Sequence, residues 1–223
     1  MFSFQGQQIR GVIFDMDGVI ADTEMAHQHA WGKFIGNHAI DEEPEAFLRR
    51  VFGLGNPEIF RDLYPELSEN PAKLTELAEE KEEYFRQLLH AGEVQLIPGL
   101  SEFLELLQNR GVAVALGSSA PRKNVDAVLA YFFIKDYFQV IVTGDDVEKA
   151  KPDPAIFNLC RSRLGLAADQ CVVFEDSKFG LQAARRAGCH VVGLATTHNA
   201  EEIAPLADLV VSNFAELYLK LTP

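Results

Sequence analysis

Residues 12–14 form an apolar run that ends directly in two aspartates, Asp15 and Asp17, followed by Gly18. In an extended segment, residues i and i+2 project to the same side, so both carboxylates can face one pocket. A divalent cation relieves the repulsion between two such charges. Other chemistry-bearing side chains also stand at or after the ends of apolar runs: Ser118 after "VAVALG", Lys151 in "KAKPDP", and Glu175 with Asp176 after "CVVF". An all-oxygen set drawn from Asp15, a group of Asp17 and Asp176 suits Mg2+, which engages few carboxylates, keeps waters and binds substrate phosphate. Gly18 lets the chain leave the strand tightly, with no side chain in the way of a ligand. From chemistry alone, a bare acidic turn after a buried strand explains Asp15 and Asp17 equally well.

The elements that must position these groups alternate in texture. Short β-rich apolar runs occur at residues 11–14, 112–117, 140–144, 171–175, 191–195 and 209–211. Each is too short for an ordinary helix, and most are bounded by Gly, Pro or Asp. Between the later runs lie helical patterns such as "LSEFLELLQNRG" and "PAIFNLCRSRLG", each closed by a glycine suited to a helix C-terminus. This alternation predicts an α/β fold, a Rossmann-like parallel sheet covered on both faces. In such sheets ligands sit beyond the carboxyl ends of the strands, where the polar residues above fall. Residues 24–95 carry no strong strand run and read as helical throughout. In "ENPAKLTELAEEKEEYFRQLLH", Asn70 is the expected N-cap and Pro71 the first helical residue. The expected organisation is a core domain built from residues 1–23 and 96–223, with an inserted α-helical cap domain at residues 24–95.

Composition narrows the partners. The chain has 223 residues, 48% hydrophobic and 24% charged, which reads as globular. A formal net charge of -13 argues against nucleic acid, whose phosphates demand a basic face. An anionic substrate would need local cations and a metal, because the overall field repels it. No apolar run approaches the roughly 20 residues that span a bilayer, and "MFSFQGQQIRG" lacks the features of a signal peptide. No membrane partner and a cytoplasmic location are therefore expected. Cys160, Cys171 and Cys189 form no CxxC pair and are expected as buried free thiols.

Four segments, in order, resemble the motifs of the haloacid dehalogenase-like phosphohydrolases. "FDMDGV" is similar to the family's DxDx[TV] signature, and "VALGSS" to its second motif, with Ser118 at the serine or threonine position. "KAKPDP" is similar to the third, with Lys151 as its lysine, and "VVFEDSKFGLQAARRAG" to the fourth, with Glu175 and Asp176 as its acidic pair. The resemblance covers nearly the whole chain, including the helical insertion after the first motif. It implies Asp15 as a nucleophile that forms an aspartyl-phosphate. It implies Asp17 as the acid that protonates the leaving oxygen and then the base that activates water. Ser118 and Lys151 would hold the phosphoryl oxygens. The resemblance also implies Mg2+ bound by the Asp15 side chain, the Asp17 carbonyl and Asp176, with Glu175 behind these ligands or linked through water. Dehalogenases of the superfamily generally lack the second aspartate, so Asp17 favours phosphoryl transfer.

Within the family, "FDMDGVIADTEMAHQHAWGKF" resembles the β-phosphoglucomutase-like branch, which also includes sugar phosphatases. His27 falls at that enzyme's cap-hinge histidine, Trp31 at its tryptophan and Lys81 at a cap lysine, with Thr23 at the hinge. Residue type alone offers plainer roles: His27 facing solvent, Trp31 in the cap core, and Lys81 as a solvated ion-pair residue. A mutase must hold a doubly phosphorylated intermediate, so its cap needs a cationic clamp. Asn56 stands where the mutase has an arginine, and it carries no charge to pair with phosphate. Pro121 and Arg122 stand where that enzyme has Lys-Asn, and Arg122 is expected on the first turn of a surface helix. The expected function is therefore a Mg2+-dependent phosphatase for a small phosphorylated metabolite, a sugar phosphate by class. A β-phosphoglucomutase-type mutase is the alternative. A phosphoacceptor signalling module fits less well, since it needs no lid over its phosphorylated aspartate. "GLG" at residues 53–55 lacks the third glycine and preceding strand of a nucleotide fingerprint. His27 and His29 lie on different helix faces and make a poor metal pair.

Overall fold

The computed structural model describes residues 2–40, 42–51 and 56–221; the "GLG" at residues 53–55 lies outside the described residues. The chain divides into two compact units, one formed by Met1–Asp22 with Gln95–Pro223 and the other by Thr23–Val94.

Two short antiparallel strands, β1 (Phe2–Phe4) and β2 (Gln7–Ile9), open the first unit. Gln5 and Gly6 join them with φ of 49° and 78°, the left-handed pair that matches the twist of a two-residue hairpin. Next come β3 (Gly11–Phe14) and β4 (Ala21–Asp22). The second unit holds α1 (Glu24–Asn37), α2 (Pro44–Val51), α3 (Asn56–Leu63) and α4 (Pro71–His90). The chain re-enters the first unit at β5 (Gln95–Leu96), which pairs with β4. It then alternates through α5 (Leu100–Asn109), β6 (Ala113–Gly117), α6 (Arg122–Tyr131), β7 (Val140–Val142) and α7 (Ala155–Leu164). The alternation ends with β8 (Cys171–Glu175), α8 (Lys178–Arg186), β9 (His190–Leu194), α9 (Ala200–Ile203), β10 (Leu209–Val211) and α10 (Phe214–Leu221).

Six strands form one parallel sheet in the order β10-β9-β8-β3-β6-β7. The chain moves from β3 to β6 and β7, then crosses back to β8 on the other side. Strand order therefore reverses around β3, the arrangement that opens a crevice at the carboxyl edge. Phe14 lies opposite Leu116 on one side and Phe174 on the other. Each of the six expected apolar runs becomes a strand of this sheet, with small shifts at the ends.

Both faces are covered, which explains why the strands read as continuous apolar runs. Ile13 and Val173 face a cluster with Phe157, Cys160 and Leu181. The neighbouring residues Phe14 and Phe174 stack with ring centroids 5.2 Å apart, and Phe103 and Phe214 pack against them. Burying each such side chain contributes about 1.5–3 kcal/mol. Cys160, Cys171 and Cys189 are free and buried. The helical unit has its own core, in which Trp31 packs with Phe34, Phe47 and Phe60. Asn70 caps α4 by accepting from the Lys73 backbone N–H at 3.2 Å, and Pro71 begins the helix. Among the described residues no helix is long and apolar enough to cross a membrane.

Candidate active site

Asp15 is the first residue beyond β3, and its backbone N–H donates to the Phe174 carbonyl at 3.0 Å, which extends the ladder one step. Its side chain is almost wholly buried. The Lys151 ammonium donates to Asp15 Oδ1 at 2.5 Å and to Glu175 Oε1 at 2.7 Å. Glu175 ends β8, the strand beside β3. Its Oε2 accepts from the backbone N–H groups of Asp176 at 2.8 Å and Ser177 at 2.7 Å, and from the Ser177 hydroxyl at 3.0 Å. Ser177 Oγ in turn accepts from Gly180 N–H and caps α8. Gly180 has to be glycine, because a Cβ there would overlap the Glu175 carboxylate. With both oxygens committed, Glu175 fixes Lys151 and the start of α8.

Asp176 is also buried, and its Oδ2 accepts from the Thr197 hydroxyl. Carboxylate oxygens of Asp15, Glu175 and Asp176 lie within 4.8 Å of one another. Burial pushes the Asp15 carboxyl up to about 7; Lys151 pulls it down, while Glu175 and Asp17 push with burial. Burial also drives Asp176 well above the usual carboxylate range, and Glu175 and Asp15 add to the effect. For Lys151, burial works against the charge but is outweighed by Asp15 and Glu175, so its ammonium is held above the usual lysine range. Three buried carboxylates thus lie around one lysine, and Asp15 and Asp176 resist ionisation. An all-oxygen donor set short of positive charge fits a hard divalent cation.

Asp17 is half-buried in a tight loop in which Gly18 N–H donates to the Ala21 carbonyl at 2.8 Å. Gly18 has φ of 70°, so the chain does turn away there through a left-handed residue. Ser118 is fully buried just beyond β6, the other neighbour of β3. Its Oγ accepts from Ala120 N–H at 3.1 Å, which leaves the hydroxyl proton for another partner.

Lys81 and His27, both in the helical unit, depart from the plainer roles that residue type suggests. Lys81 is not solvated: it is 2% exposed and pairs with Glu82 at 2.9 Å. His27 Nδ1 lies 3.0 Å from the Lys81 ammonium, which also sits over the Trp31 ring at 5.2 Å. These partners, together with Glu82, replace the water that a lysine needs. His27 does not simply face solvent, because its ring stacks on Phe85 at 4.2 Å. Asn56 donates to Glu82 Oε1 at 2.5 Å. Burial raises the cost of the Glu82 charge, but Lys81, His27 and Asn56 together hold its carboxyl below the usual range. Trp31 is core, as its residue type indicates. Arg122 begins α6 and pairs with Asp126 at 2.9 Å on the surface. His29 makes a separate contact with Glu93 at 2.6 Å.

Sequence alone does not single out Glu82, Thr196 or Thr197. Thr196 and Thr197 follow the apolar run of β9, so the strand-end criterion that found Ser118 would have found them. Glu82 carries no such signal inside "AEEKEE".

The order of the four segments along the chain and their convergence at one sheet edge match a known architecture. A model of the haloacid dehalogenase-like hydrolases matches residues 12–194. The chain belongs to this family. As a haloacid dehalogenase-like hydrolase it is an enzyme, and its relatives are similar over most of their length. It is 36% identical over 188 residues to fructose-1-phosphate phosphatase YqaB of Escherichia coli, covering 83% of this chain and 96% of that protein. The crystal structure of CbbY from Rhodobacter sphaeroides in complex with phosphate superposes with a TM-score of 0.82 at 27% identity, covering 94% and 96% of the two chains. A putative β-phosphoglucomutase from Thermotoga maritima superposes with a TM-score of 0.73 at 31% identity, covering 95% and 98%.

Proposed function

We propose that this haloacid dehalogenase-like hydrolase is a Mg2+-dependent phosphatase for a small phosphorylated metabolite, a sugar phosphate by class. The observation that carries the reading is the buried Asp15 carboxylate at the edge of the central strand, held by Lys151 beside Asp176 and Glu175. In this reading an Asp15 carboxylate oxygen attacks phosphorus. The bond to the leaving oxygen breaks, and Asp17 gives that oxygen its proton. Asp17, now a carboxylate, takes a proton from water as the water attacks the phosphoaspartate. The P–O bond to Asp15 breaks, phosphate leaves, and both aspartates return to their starting states. Ser118 donates its hydroxyl proton to a phosphoryl oxygen. Lys151 keeps Asp15 aimed and spreads the charge that builds on the phosphoryl group. Asp15, the Asp17 carbonyl and Asp176 would hold Mg2+, which when bound supplies positive charge against the repulsion between carboxylate and phosphate. The similarity to a fructose-1-phosphate phosphatase supports a sugar phosphate as substrate.

The helical unit supports hydrolysis over mutase chemistry. Asn56, which stands where the mutase has an arginine, donates to Glu82, and Lys81 donates to the same carboxylate. A phosphate-release screen over hexose, pentose and nucleotide phosphates, with Mg2+ and with chelator, tests the proposal. Mg2+-dependent release from a sugar phosphate is expected. Efficient isomerisation of β-glucose 1-phosphate with little release would overturn it.

A further inference from the structure

The loop after β9 reaches across the sheet edge and touches two segments of the acidic site. The Thr196 hydroxyl donates to the Gly18 carbonyl at 2.7 Å, and the Thr197 hydroxyl donates to Asp176 Oδ2. Gly18 itself presses on this junction: a Cβ there would collide with Asp176 Oδ2 and come within 3.1 Å of Thr197 Oγ1. The ends of β3, β8 and β9 therefore meet around one carboxylate oxygen. Lys151 is committed to Asp15 and Glu175, and the Ser177 hydroxyl to Glu175. A hydrogen bond to one carboxylate oxygen fixes the plane of the group and leaves the other oxygen to face a ligand.

We infer that Thr197 is a positioning residue for the metal: it holds Asp176 by Oδ2 so that Oδ1 meets the cation. The inference rests on the metal-dependent reading above. Thr196 ties the Gly18 turn to the same loop, so that the segment carrying Asp15 and Asp17 and the segment carrying Asp176 keep a fixed separation. Outer partners of metal ligands characteristically change affinity by about 10–100-fold when removed.

The test is calorimetric titration of Mg2+ into the full-length wild type, Thr197→Val and Thr197→Ser. Each protein is also melted with and without Mg2+. Thr197→Val is expected to bind Mg2+ about 10–100-fold more weakly, with its metal-free melting temperature nearly unchanged and its Mg2+-induced shift reduced. Thr197→Ser, which keeps the hydroxyl, is expected to bind as the wild type does. Should Thr197→Val not fold, Thr197→Ala carries the same comparison without a bulky β-branched group. Wild-type Mg2+ affinity in the hydroxyl-free variant overturns the inference and leaves the phosphatase reading standing. Equal losses in the Ser and Val variants also overturn it, because the hydroxyl would then be irrelevant. A wild-type protein that binds no Mg2+ overturns the inference and the metal-dependent reading together.

Discussion

Replacing Lys151 by methionine removes the one cation between two buried carboxylates while keeping an unbranched apolar side chain. Lys151 lies 2.5 Å from Asp15 and 2.7 Å from Glu175, with side-chain exposures of 8%, 9% and 1% for the three groups. Removing one partner from such a pair leaves an uncompensated buried charge and costs about 3–5 kcal/mol. That is a large share of the roughly 5–15 kcal/mol by which a domain is stable. With a urea dependence of about 1–3 kcal/mol per molar, the midpoint should fall by about 2 M. Far-UV circular dichroism is the suitable probe, because the single tryptophan, Trp31, lies in the helical unit. The effect should depend on pH in a defined direction. In the wild type the raised Lys151 pKa contributes stability below the ordinary lysine pKa, lost only as pH rises through its folded value. In the variant, Asp15 loses the group that opposes its burial, so its carboxyl rises beyond the wild-type value of about 7. The folded state then takes up a proton that the unfolded state, with an ordinary carboxylate near pH 4, does not. Stability is therefore regained as pH falls through the folded value. The deficit of the variant in metal-free buffer should be larger at pH 8 than near pH 5, by about 1.4 kcal/mol for the one unit by which pH 8 exceeds the wild-type Asp15 value of about 7. A midpoint equal to the wild type at pH 8, or a deficit of the same size at both pH values, would refute the reasoning.

Other consequences are simpler. Gly180→Ala drives a methyl group into the Glu175 carboxylate; it should cost about 1–3 kcal/mol in urea unfolding and depress phosphate release, and wild-type values for both would count against the role given to Glu175. Glu82→Ala strands buried Lys81 in the helical unit, so Trp31 fluorescence should report a loss of about 3–5 kcal/mol; an unchanged midpoint would mean that the pair does not hold that unit together. Burial pushes the Cys171 thiol to about 11 and the Cys189 thiol to about 12, and Cys160 is raised as well. A disulfide reagent at pH 8 should label none of the three until the protein unfolds, and rapid native labelling would contradict their burial.

The central sheet was legible because its strands are buried on both faces and so read as unbroken apolar runs. The candidate site residues were legible for a related reason: Asp15, Ser118, Glu175 and Asp176 are polar groups placed where greasy segments stop. What stayed hidden depends on partners distant in sequence. The β1 and β2 hairpin is short and largely polar, with Gln7 and Gln8 exposed, so no periodicity marks it. Lys81 lies among glutamates and reads as solvated; its burial is set by His27 and Trp31 on another helix. Glu175 reads as a group behind the metal ligands or linked through water, and the partners that engage both of its oxygens, Lys151 above all, lie outside any local pattern. Thr197 stands at a strand end like the others, but a hydroxyl after "VVGLA" gains meaning only once Asp176 is placed against it.

In the proposed mechanism Asp15 carries the phosphoryl group during turnover. Acid quenching of the Mg2+-loaded enzyme in the steady state, with the best sugar phosphate from the screen and peptide mapping by mass spectrometry, tests it most directly. A phosphoryl group is expected on the peptide containing Asp15 and not in Asp15→Asn, which should be folded and inactive. Phosphorylation at another residue, or full turnover by Asp15→Asn, would contradict it.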